Sequence, residues 1–314
     1  MGRTTWYCAP GMRSSSSDTA TTFTLACRAP FDWDFLLDFY RARAIAGVEH
    51  IAGRRYARIV HAGDGTGVVA ITPGPRGGLT VATQGLPAAA LPELATRLRS
   101  AFDVDRDVRP IHAHLGRDRR LSPLIAARPG LRVPGCVDAF EQGVRAILGQ
   151  QISVTAARNL AARLCARWGA TVDCPDEPTL ERAFPTPAAL ADADVASLGM
   201  PRARGRTVAA FAAAVLAEPG LLTRAASLET SLARLLALPG IGPWSAHYIA
   251  MRALREPDAF PASDIGILRA LAADDGSRPS ARDAAALATA WSPWRAYAAQ
   301  YLWSHDPAAP RVPT

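Results

Sequence analysis

The chain has 314 residues, of which 49% are hydrophobic and 20% are charged, and its 35 arginines against 28 acidic residues give a net charge of +7. None of the basic residues is a lysine. The missing lysine excludes P-loop nucleotide-binding proteins, protein kinases and pyridoxal-phosphate enzymes, because each of these needs a lysine side chain at its reactive centre.

The composition is that of a globular protein with a sizeable core, and the length predicts about two domains. No apolar run approaches the ~18–20 residues that a membrane-spanning helix needs, so no membrane partner is expected. The Ser- and Thr-rich beginning lacks the apolar stretch of a signal peptide, and the five cysteines form no CxxC pair. These features favour a cytoplasmic protein and argue against a disulfide framework, a zinc site or an iron–sulfur site.

The N-terminal region of the chain predicts a small domain that mixes strands and helices. Residues 1–20 are expected to be a disordered tail. The elements predicted after it are a strand over 22–27, a helix over 31–44, strands over 54–60, 67–71 and 79–83, and a helix over 91–102. Because Gly-rich turns typical of hairpins separate the later strands, we predict an antiparallel α+β domain over 21–107.

After about residue 108 the strand signals stop, and apolar residues recur at the three- and four-residue spacing of helices. The predicted helices cover 137–148, 153–168, 187–198, 207–216, 231–238, 244–255, 264–272, 281–290 and 293–304. Ser292 is expected to cap the last of them, with Pro293 at its first helical position. The sequence therefore predicts a nearly all-α domain over 108–306, followed by a tail over 307–314.

The segment Leu238-Pro-Gly-Ile-Gly242 joins two of these predicted helices. Gly240 and Gly242 allow positive φ and close backbone approach, and the helix that follows begins with unpaired N–H groups that suit a phosphate. Ile241 is expected to hold the two helices together as an apolar plug. A plain helix–helix turn with a C-terminal glycine is the alternative, but the wider Leu-Pro-Gly-Ile-Gly-Pro-Trp context favours a helix-hairpin-helix that grips a DNA backbone.

Asp264 stands at the start of a predicted helix, 24 residues beyond the first glycine of the hairpin. An aspartate in this position is most often an N-cap. Near bound DNA, however, its carboxylate has a second use, because a fixed anion stabilises the positive charge that develops on deoxyribose as a base leaves C1′. The same group can orient or deprotonate water.

With these motifs in order, the sequence resembles the helix-hairpin-helix/Gly-Pro-Asp superfamily of base-excision DNA glycosylases, and more closely the AlkA-type 3-methyladenine DNA glycosylase II family. The similarity runs from about Phe23 to Ser304. It rests on Pro30–Trp33, Tyr56–Arg58, Ala127–Arg132, Pro134–Gln150, Leu238–Tyr248, Asp264 and Pro293–Tyr297. The resemblance implies an N-terminal β domain of TATA-binding-protein-like topology, followed by a helical glycosylase domain.

The resemblance also implies roles for single residues. Asp264 matches the catalytic aspartate of the family, and the aromatic walls of the base pocket match Trp244, Tyr248, Trp294 and Phe39. The hairpin residues Gly240, Ile241 and Gly242 match the DNA-binding hairpin, whose carbonyl groups can also hold a monovalent cation. No other cofactor or metal is implied.

The turn Gly149-Gln-Gln-Ile152 contains a departure from the family pattern. Gln151 stands where a well-known bacterial member has a leucine that fills the gap left by the flipped base. Gln150 and Gln151 are therefore expected at the DNA, with Gln151 at the position of the wedge.

The aromatic residues have a chemical reason to select damaged bases. Alkylation at N3 or N7 makes a purine cationic, and the face of Trp or Tyr attracts a cation by roughly 0.5–2 kcal/mol. The nucleotide must first be flipped out of the base stack. For each aromatic residue taken alone, ordinary core packing is the competing interpretation.

We expect a monomeric, monofunctional glycosylase that uses water to excise alkylated bases of the 3-methyladenine and 7-methylguanine type from duplex DNA. A bifunctional glycosylase/lyase needs a lysine near Trp244, and the chain has none. A non-catalytic DNA-binding protein that uses the same hairpin, and a glycosylase for oxidised or deaminated bases, remain alternatives.

Overall fold

The computed structural model describes residues 20–273 and 275–306. The two predicted tails, 1–20 and 307–314, lie outside these ranges except for residue 20. None of the helices in the described ranges is long and apolar enough to cross a membrane.

An antiparallel sheet forms the centre of the N-terminal region. The described residues contain the strands β1 (Thr21–Leu25), β2 (Glu49–Ala52), β3 (Arg55–Ala62), β4 (Gly65–Pro73) and β5 (Leu79–Gln84). They pair in the order β1-β5-β4-β3-β2, and every pair is antiparallel. The predicted antiparallel domain is therefore confirmed. The sequence prediction missed β2, which has only four residues and carries a glutamate and a histidine.

Two helices cover one face of this sheet. Asp32 caps the start of helix α1 (Trp33–Arg43), and its side chain accepts from the N–H of Phe35 at 2.9 Å. The left-handed residue Asp103 caps the end of α2 (Leu91–Phe102). Because side chains alternate along a strand, one face of the sheet buries Tyr56 and Val60 against these helices. The opposite face buries Ile59 against Cys174, Leu180 and Ala183, which lie in a non-helical segment further along the chain.

Helices of 4 to 16 residues and the loops between them make up the rest of the described chain. They are α3 (Arg109–Leu115), α4 (Ser122–Ala127), α5 (Ala139–Leu148), α6 (Val154–Trp168), α7 (Pro187–Leu190), α8 (Arg202–Ala217), α9 (Leu228–Leu236), α10 (Pro243–Arg252), α11 (Ile265–Ala270), α12 (Ala281–Ala288) and α13 (Arg295–His305). This confirms the predicted helical C-terminal region. The prediction missed α3 and α4, which are too short to show a clear apolar period.

The start of α13 differs from the prediction. Ser292 does not cap this helix, which begins at Arg295. The hydroxyl of Ser292 instead donates to Oδ2 of Asp258 at 2.8 Å, and the N–H of Arg295 donates to Oδ1 of the same carboxylate at 3.3 Å. A residue distant in sequence therefore caps the helix, and no local pattern reveals such a partner.

A buried ionic network joins the sheet to the helical region. Arg58 on β3 lies between Glu49 on β2 and Glu141 on α5, at 3.5 and 2.5 Å. Arg145 on α5 contacts both glutamates and also donates to the backbone carbonyl of Arg43 at 2.8 Å. Burial alone would raise the pKa of Glu49, but Arg145 and Arg58 outweigh it and bring that pKa to about 2. The network thus fixes the end of α1 against α5.

Candidate active site

The hairpin between α9 and α10 needs glycine at its first position. Gly240 has a φ of +80°, and a Cβ atom there would lie 2.0 Å from Oγ1 of Thr207 on α8. Ile241 is only 5% exposed and lies in the helical core, as an apolar plug should. The close approach to α8 and the positive φ together explain why this turn packs only with Gly240.

Gly242 is different, because its missing side chain faces outward. Its φ is −92°, and a Cβ atom built there meets nothing within 4 Å. Helix α10 starts at the next residue, so the unpaired N–H groups of its first turn lie beside this open surface. Packing within the protein does not require glycine at position 242. Close approach of a phosphate to this backbone would require it, because a side chain would occupy the same space.

The turn between α5 and α6 is tied to the hairpin by one of its two glutamines. Nε2 of Gln150 donates to the carbonyl of Gly240 and to Oγ of Ser245, both at 3.0 Å, and Arg204 donates to the carbonyl of Gln150 at 2.6 Å. The amide of Gln150 is thus used inside the protein. Gln151 is exposed and has a φ of +57°, which is uncommon for a residue with a side chain.

Asp264 caps α11 and is held by four N–H donors. Its Oδ1 accepts from the backbone of Gly266 and Ile267 at 2.9 and 3.2 Å, and from the indole of Trp303 at 2.7 Å. Its Oδ2 accepts from the indole of Trp244 at 2.8 Å. Because a carboxylate oxygen has two lone pairs, Oδ2 is the oxygen with acceptor capacity left for another partner.

Two of the predicted aromatic walls lie next to this carboxylate. The rings of Trp244 and Tyr248, one turn apart on α10, stack with centroids 5.1 Å apart and planes 9° from parallel. Trp303 on α13 meets Tyr248 edge-on at 6.2 Å. Both tryptophans donate to Asp264, so the aromatic cluster and the carboxylate form one unit.

Trp294 does not belong to this unit, which corrects the prediction. It precedes α13, and its ring faces the guanidinium of Arg106 at 5.7 Å. From the start of α13 at Arg295 to Trp303 the helix rises about 12 Å, so the two tryptophans lie far apart. Trp303, rather than Trp294, contacts Asp264 and Tyr248. The two tryptophans are nine residues apart in the sequence, and the resemblance rested on the one that follows Pro293.

Phe39 of the N-terminal domain contacts the cluster through Arg252, which the sequence analysis did not identify. The guanidinium carbon of Arg252 lies 4.7 Å from the centroid of Phe39, 5.3 Å from Tyr248 and 5.1 Å from Trp303. Arg252 follows Trp244 and Tyr248 at four-residue intervals on α10, which places all three on one stripe of the helix. This four-residue spacing is the sequence signal from which Arg252 could have been predicted.

The loop that leads to Asp264 is anchored at both ends. Nδ1 of His247 on α10 accepts from the N–H of Phe260 at 3.1 Å, and burial, followed by the charge of Arg295, lowers the pKa of His247. Beyond Asp264, Arg269 on α11 pairs with Asp306 at 2.6 Å. These contacts fix the helix that presents the carboxylate.

Neither of two cavities found in the described residues touches this cluster. One, of about 150 Å³, lies at the domain junction beside His61 and Arg97, and the other, of about 360 Å³, lies beside His50 and Arg158. The rings around Asp264 pack on one another, and Trp244, Tyr248 and Trp303 are half-buried. Within the described residues no group of three or more His, Cys, Asp or Glu side chains could hold a metal ion.

Two family models match consecutive segments of the chain. Residues 22–138 match the AlkA N-terminal domain, and residues 144–296 match the HhH-GPD superfamily base excision DNA repair protein. DNA-3-methyladenine glycosylase 2 of Escherichia coli is 39% identical over 287 residues, which cover 90% of this chain and 96% of that protein.

Two further proteins are similar in sequence or fold. The probable bifunctional transcriptional activator/DNA repair enzyme AlkA of Mycobacterium tuberculosis is 37% identical over 93% of this chain, which spans only 58% of that relative's length. The solved structure of a 3-methyladenine DNA-glycosylase from Archaeoglobus fulgidus has a TM-score of 0.78 at 21% identity, covering 90% of this chain and 98% of that one. The second likeness concerns the fold alone.

Proposed function

Because the chain belongs to the HhH-GPD superfamily of base-excision DNA repair proteins, we propose that it is a monofunctional glycosylase that excises alkylated bases from duplex DNA with water as the nucleophile. Bases of the 3-methyladenine and 7-methylguanine type are its proposed substrates. The observation that carries the proposal is the carboxylate of Asp264, held by two indole N–H groups beside the stacked rings of Trp244 and Tyr248.

The hairpin and the exposed turn are the proposed DNA-binding elements. The open surface at Gly242 and the first turn of α10 suit a phosphate of the backbone, which positions the duplex without reading its sequence. Exposed Gln151 is the proposed wedge for the space that a flipped base leaves. Gln150 supports that turn through the carbonyl of Gly240 and is proposed to lie at the DNA beside Gln151.

The flipped base is proposed to bind against the aromatic cluster of Trp244, Tyr248, Trp303 and Phe39. The rings pack on one another, so the base must either stack on the outer face of the cluster or insert between neighbouring rings. An alkylated purine that carries a positive charge gains roughly 0.5–2 kcal/mol on such a face. The same charge weakens the bond from the base to C1′, so recognition and reactivity favour the same substrates.

Asp264 is the proposed catalytic residue. As the bond between C1′ and the base nitrogen breaks, both electrons leave with the base and positive charge develops on the sugar. Oδ2 of Asp264, which has acceptor capacity left, is the oxygen placed to stabilise that charge and to orient the water that adds to C1′. A lyase reaction through a side-chain Schiff base has no lysine to use in this sequence.

The test compares wild type with Asp264→Asn for release of free base from methylated duplex DNA under single-turnover conditions. We expect Asp264→Asn to bind an abasic duplex while base release falls by about a hundredfold or more. Equal rates for the two proteins would favour the non-catalytic alternative. Borohydride should trap no adduct between a side chain and DNA, and a trapped adduct would overturn the monofunctional assignment.

A panel of duplexes with oxidised or deaminated bases tests the remaining alternative, a glycosylase of different substrate preference.

We further propose that the protein acts as a monomer on chromosomal DNA in the cell. Light scattering with and without a duplex tests the monomeric state. We also propose that the domains divide near 107/108, and that a monovalent cation binds at hairpin carbonyl groups. Replacing potassium with lithium in the DNA-binding assay tests the cation.

A further inference from the structure

Arg252 is a charged residue in an unusual place. Its side chain is only 1% exposed, and its guanidinium lies against the rings of Phe39, Tyr248 and Trp303. Nη1 donates to the backbone carbonyl of Pro134 at 2.8 Å, and Nε has no hydrogen-bond partner. No carboxylate among the described residues forms an ion pair with it. A buried positive charge thus lies against the proposed base-binding rings and has no carboxylate partner.

This charge persists at neutral pH and acts on the site. Burial lowers the pKa of Arg252 to about 10, which still leaves it protonated under physiological conditions. Burial alone would raise the pKa of Tyr248, but Arg252 and Arg43 outweigh it and lower that pKa, while the charge of Asp264 acts in the opposite direction. The Tyr248 ring therefore lies in a field between a cation and an anion.

A buried, unpaired cation costs stability unless the surroundings compensate it. Contacts with three aromatic faces provide some of that compensation. They also use ring faces that would otherwise be free to attract a cationic base. A structural role alone, joining α10 to the loop at Pro134, would not require a positive charge.

We propose that Arg252 is a specificity-determining residue of the excision reaction, whose buried charge assists the departure of neutral bases and opposes the binding of cationic ones. The proposal rests on the proposed glycosylase function. When a neutral base leaves C1′, the electron pair of the broken bond makes it an anion, which a nearby cation stabilises until it takes a proton from the attacking water. A cationic base takes the same electron pair and leaves as a neutral molecule, so it gains nothing from Arg252.

The two charges then have separate tasks, because each acts on a different product of the bond that breaks. Asp264 stabilises the positive sugar, which forms with every substrate. Arg252 stabilises negative charge on the departing base, which forms only when the base was neutral at the start. Substrates of the two kinds should therefore respond differently to loss of the guanidinium, whereas loss of a purely structural contact should slow both alike.

The experiment measures single-turnover release of hypoxanthine, a neutral base, and of 7-methylguanine, a cationic base, from otherwise identical duplexes. The variants are Arg252→Gln, which keeps an N–H for the carbonyl of Pro134, Arg252→Met, which keeps the apolar stem, and Arg252→Lys, which keeps the charge. Thermal unfolding of each variant identifies those that fold, and Arg252→Gln serves if Arg252→Met does not.

We expect the neutral variants to release hypoxanthine about tenfold or more slowly, while release of 7-methylguanine stays within about twofold or accelerates. Arg252→Lys should restore most of the wild-type ratio of the two rates. Equal slowing of both substrates, a lysine variant that behaves like the glutamine variant, or a wild-type protein that releases only 7-methylguanine would each overturn the role of Arg252. A wild-type protein that releases neither base would overturn the proposed function itself.

Discussion

The indole N–H of Trp303 donates to Oδ1 of Asp264 at 2.7 Å, across the space between α13 and α11. A Cβ atom at Gly266 would lie 3.0 Å from Cδ1 of this tryptophan, so the glycine lets the ring come close. With the indole of Trp244 on Oδ2, the two donors fix the plane of the carboxylate. The carboxylate of Asp264 is therefore held in a single orientation before any substrate binds.

We expect Trp303→Phe to reduce base release sharply. The ring and most of its packing remain, but the donor to Oδ1 is lost, and a small misplacement of a catalytic group costs about ten- to a hundredfold in rate. Single-turnover release of 7-methylguanine measures this. The matched control is Trp294→Phe, which should remain close to wild type because Trp294 faces Arg106. A larger loss in the control than in Trp303→Phe would contradict the corrected assignment.

The two hairpin glycines should respond in opposite ways to alanine. Gly240→Ala should destabilise the fold by about 1–3 kcal/mol or more, because a methyl group there meets Thr207 and the positive φ disfavours it. Gly242→Ala should leave the free energy of unfolding unchanged or raise it by about 0.4–1 kcal/mol, since its φ of −92° suits alanine and the space is open. Denaturant unfolding of both variants measures this.

Gly242→Ala should weaken DNA binding even though it should not destabilise the fold. Gly242→Ala is well folded on this reasoning, yet its methyl group stands where a phosphate is proposed to approach the backbone. Its affinity for an abasic duplex, measured by fluorescence anisotropy, should therefore fall, and the rate of base release at saturating protein should change less. Unchanged affinity would place the DNA backbone elsewhere.

Much of the fold and some of the site were predictable because their signals are local. Helix α2 starts and ends where its apolar spacing predicts, and the hairpin and Asp264 follow from short motifs. The family resemblance that those motifs indicated is confirmed by the two family models and by the relative from Escherichia coli.

The missed features depend on contacts between distant segments of the chain. Arg252 matters because Phe39 and Trp303, from two other helices, converge on its guanidinium. The cap of α13 is Asp258, which lies 37 residues before Arg295. Gln150 is turned toward the carbonyl of Gly240 by a packing arrangement that sequence spacing does not encode.

Stability should depend on pH through His247. Its Nδ1 accepts from the N–H of Phe260, and its pKa in the folded protein is lowered by burial and by Arg295, against Asp258. The unfolded chain takes up a proton at an ordinary pKa of about 6.5, before the folded protein does. The contribution is therefore complete above about pH 6.5 and is lost as the pH falls through that value toward the folded pKa.

His247→Asn keeps an acceptor for Phe260 but does not titrate. The free energy of unfolding of this variant, measured by denaturant titration at several values from about pH 5 to pH 7, should vary less with pH than that of wild type. His112, whose pKa burial also lowers, contributes to the slope that remains in His247→Asn. Identical slopes for wild type and His247→Asn would contradict the prediction.

The ionic network between the domains should be costly to break. Glu141 is 3% exposed and pairs with Arg58 and Arg145, so Glu141→Gln removes a charge from between two buried cations. We expect the free energy of unfolding to fall by about 3–5 kcal/mol, the usual effect of leaving a buried charge without its partner. The matched control is Asp34→Asn, whose ion pair with Arg54 is exposed at both side chains and should cost about 0–1 kcal/mol. Similar losses in the two variants, measured by denaturant unfolding, would mean that Glu49 alone neutralises the network and that Glu141 is not needed to hold the domains together.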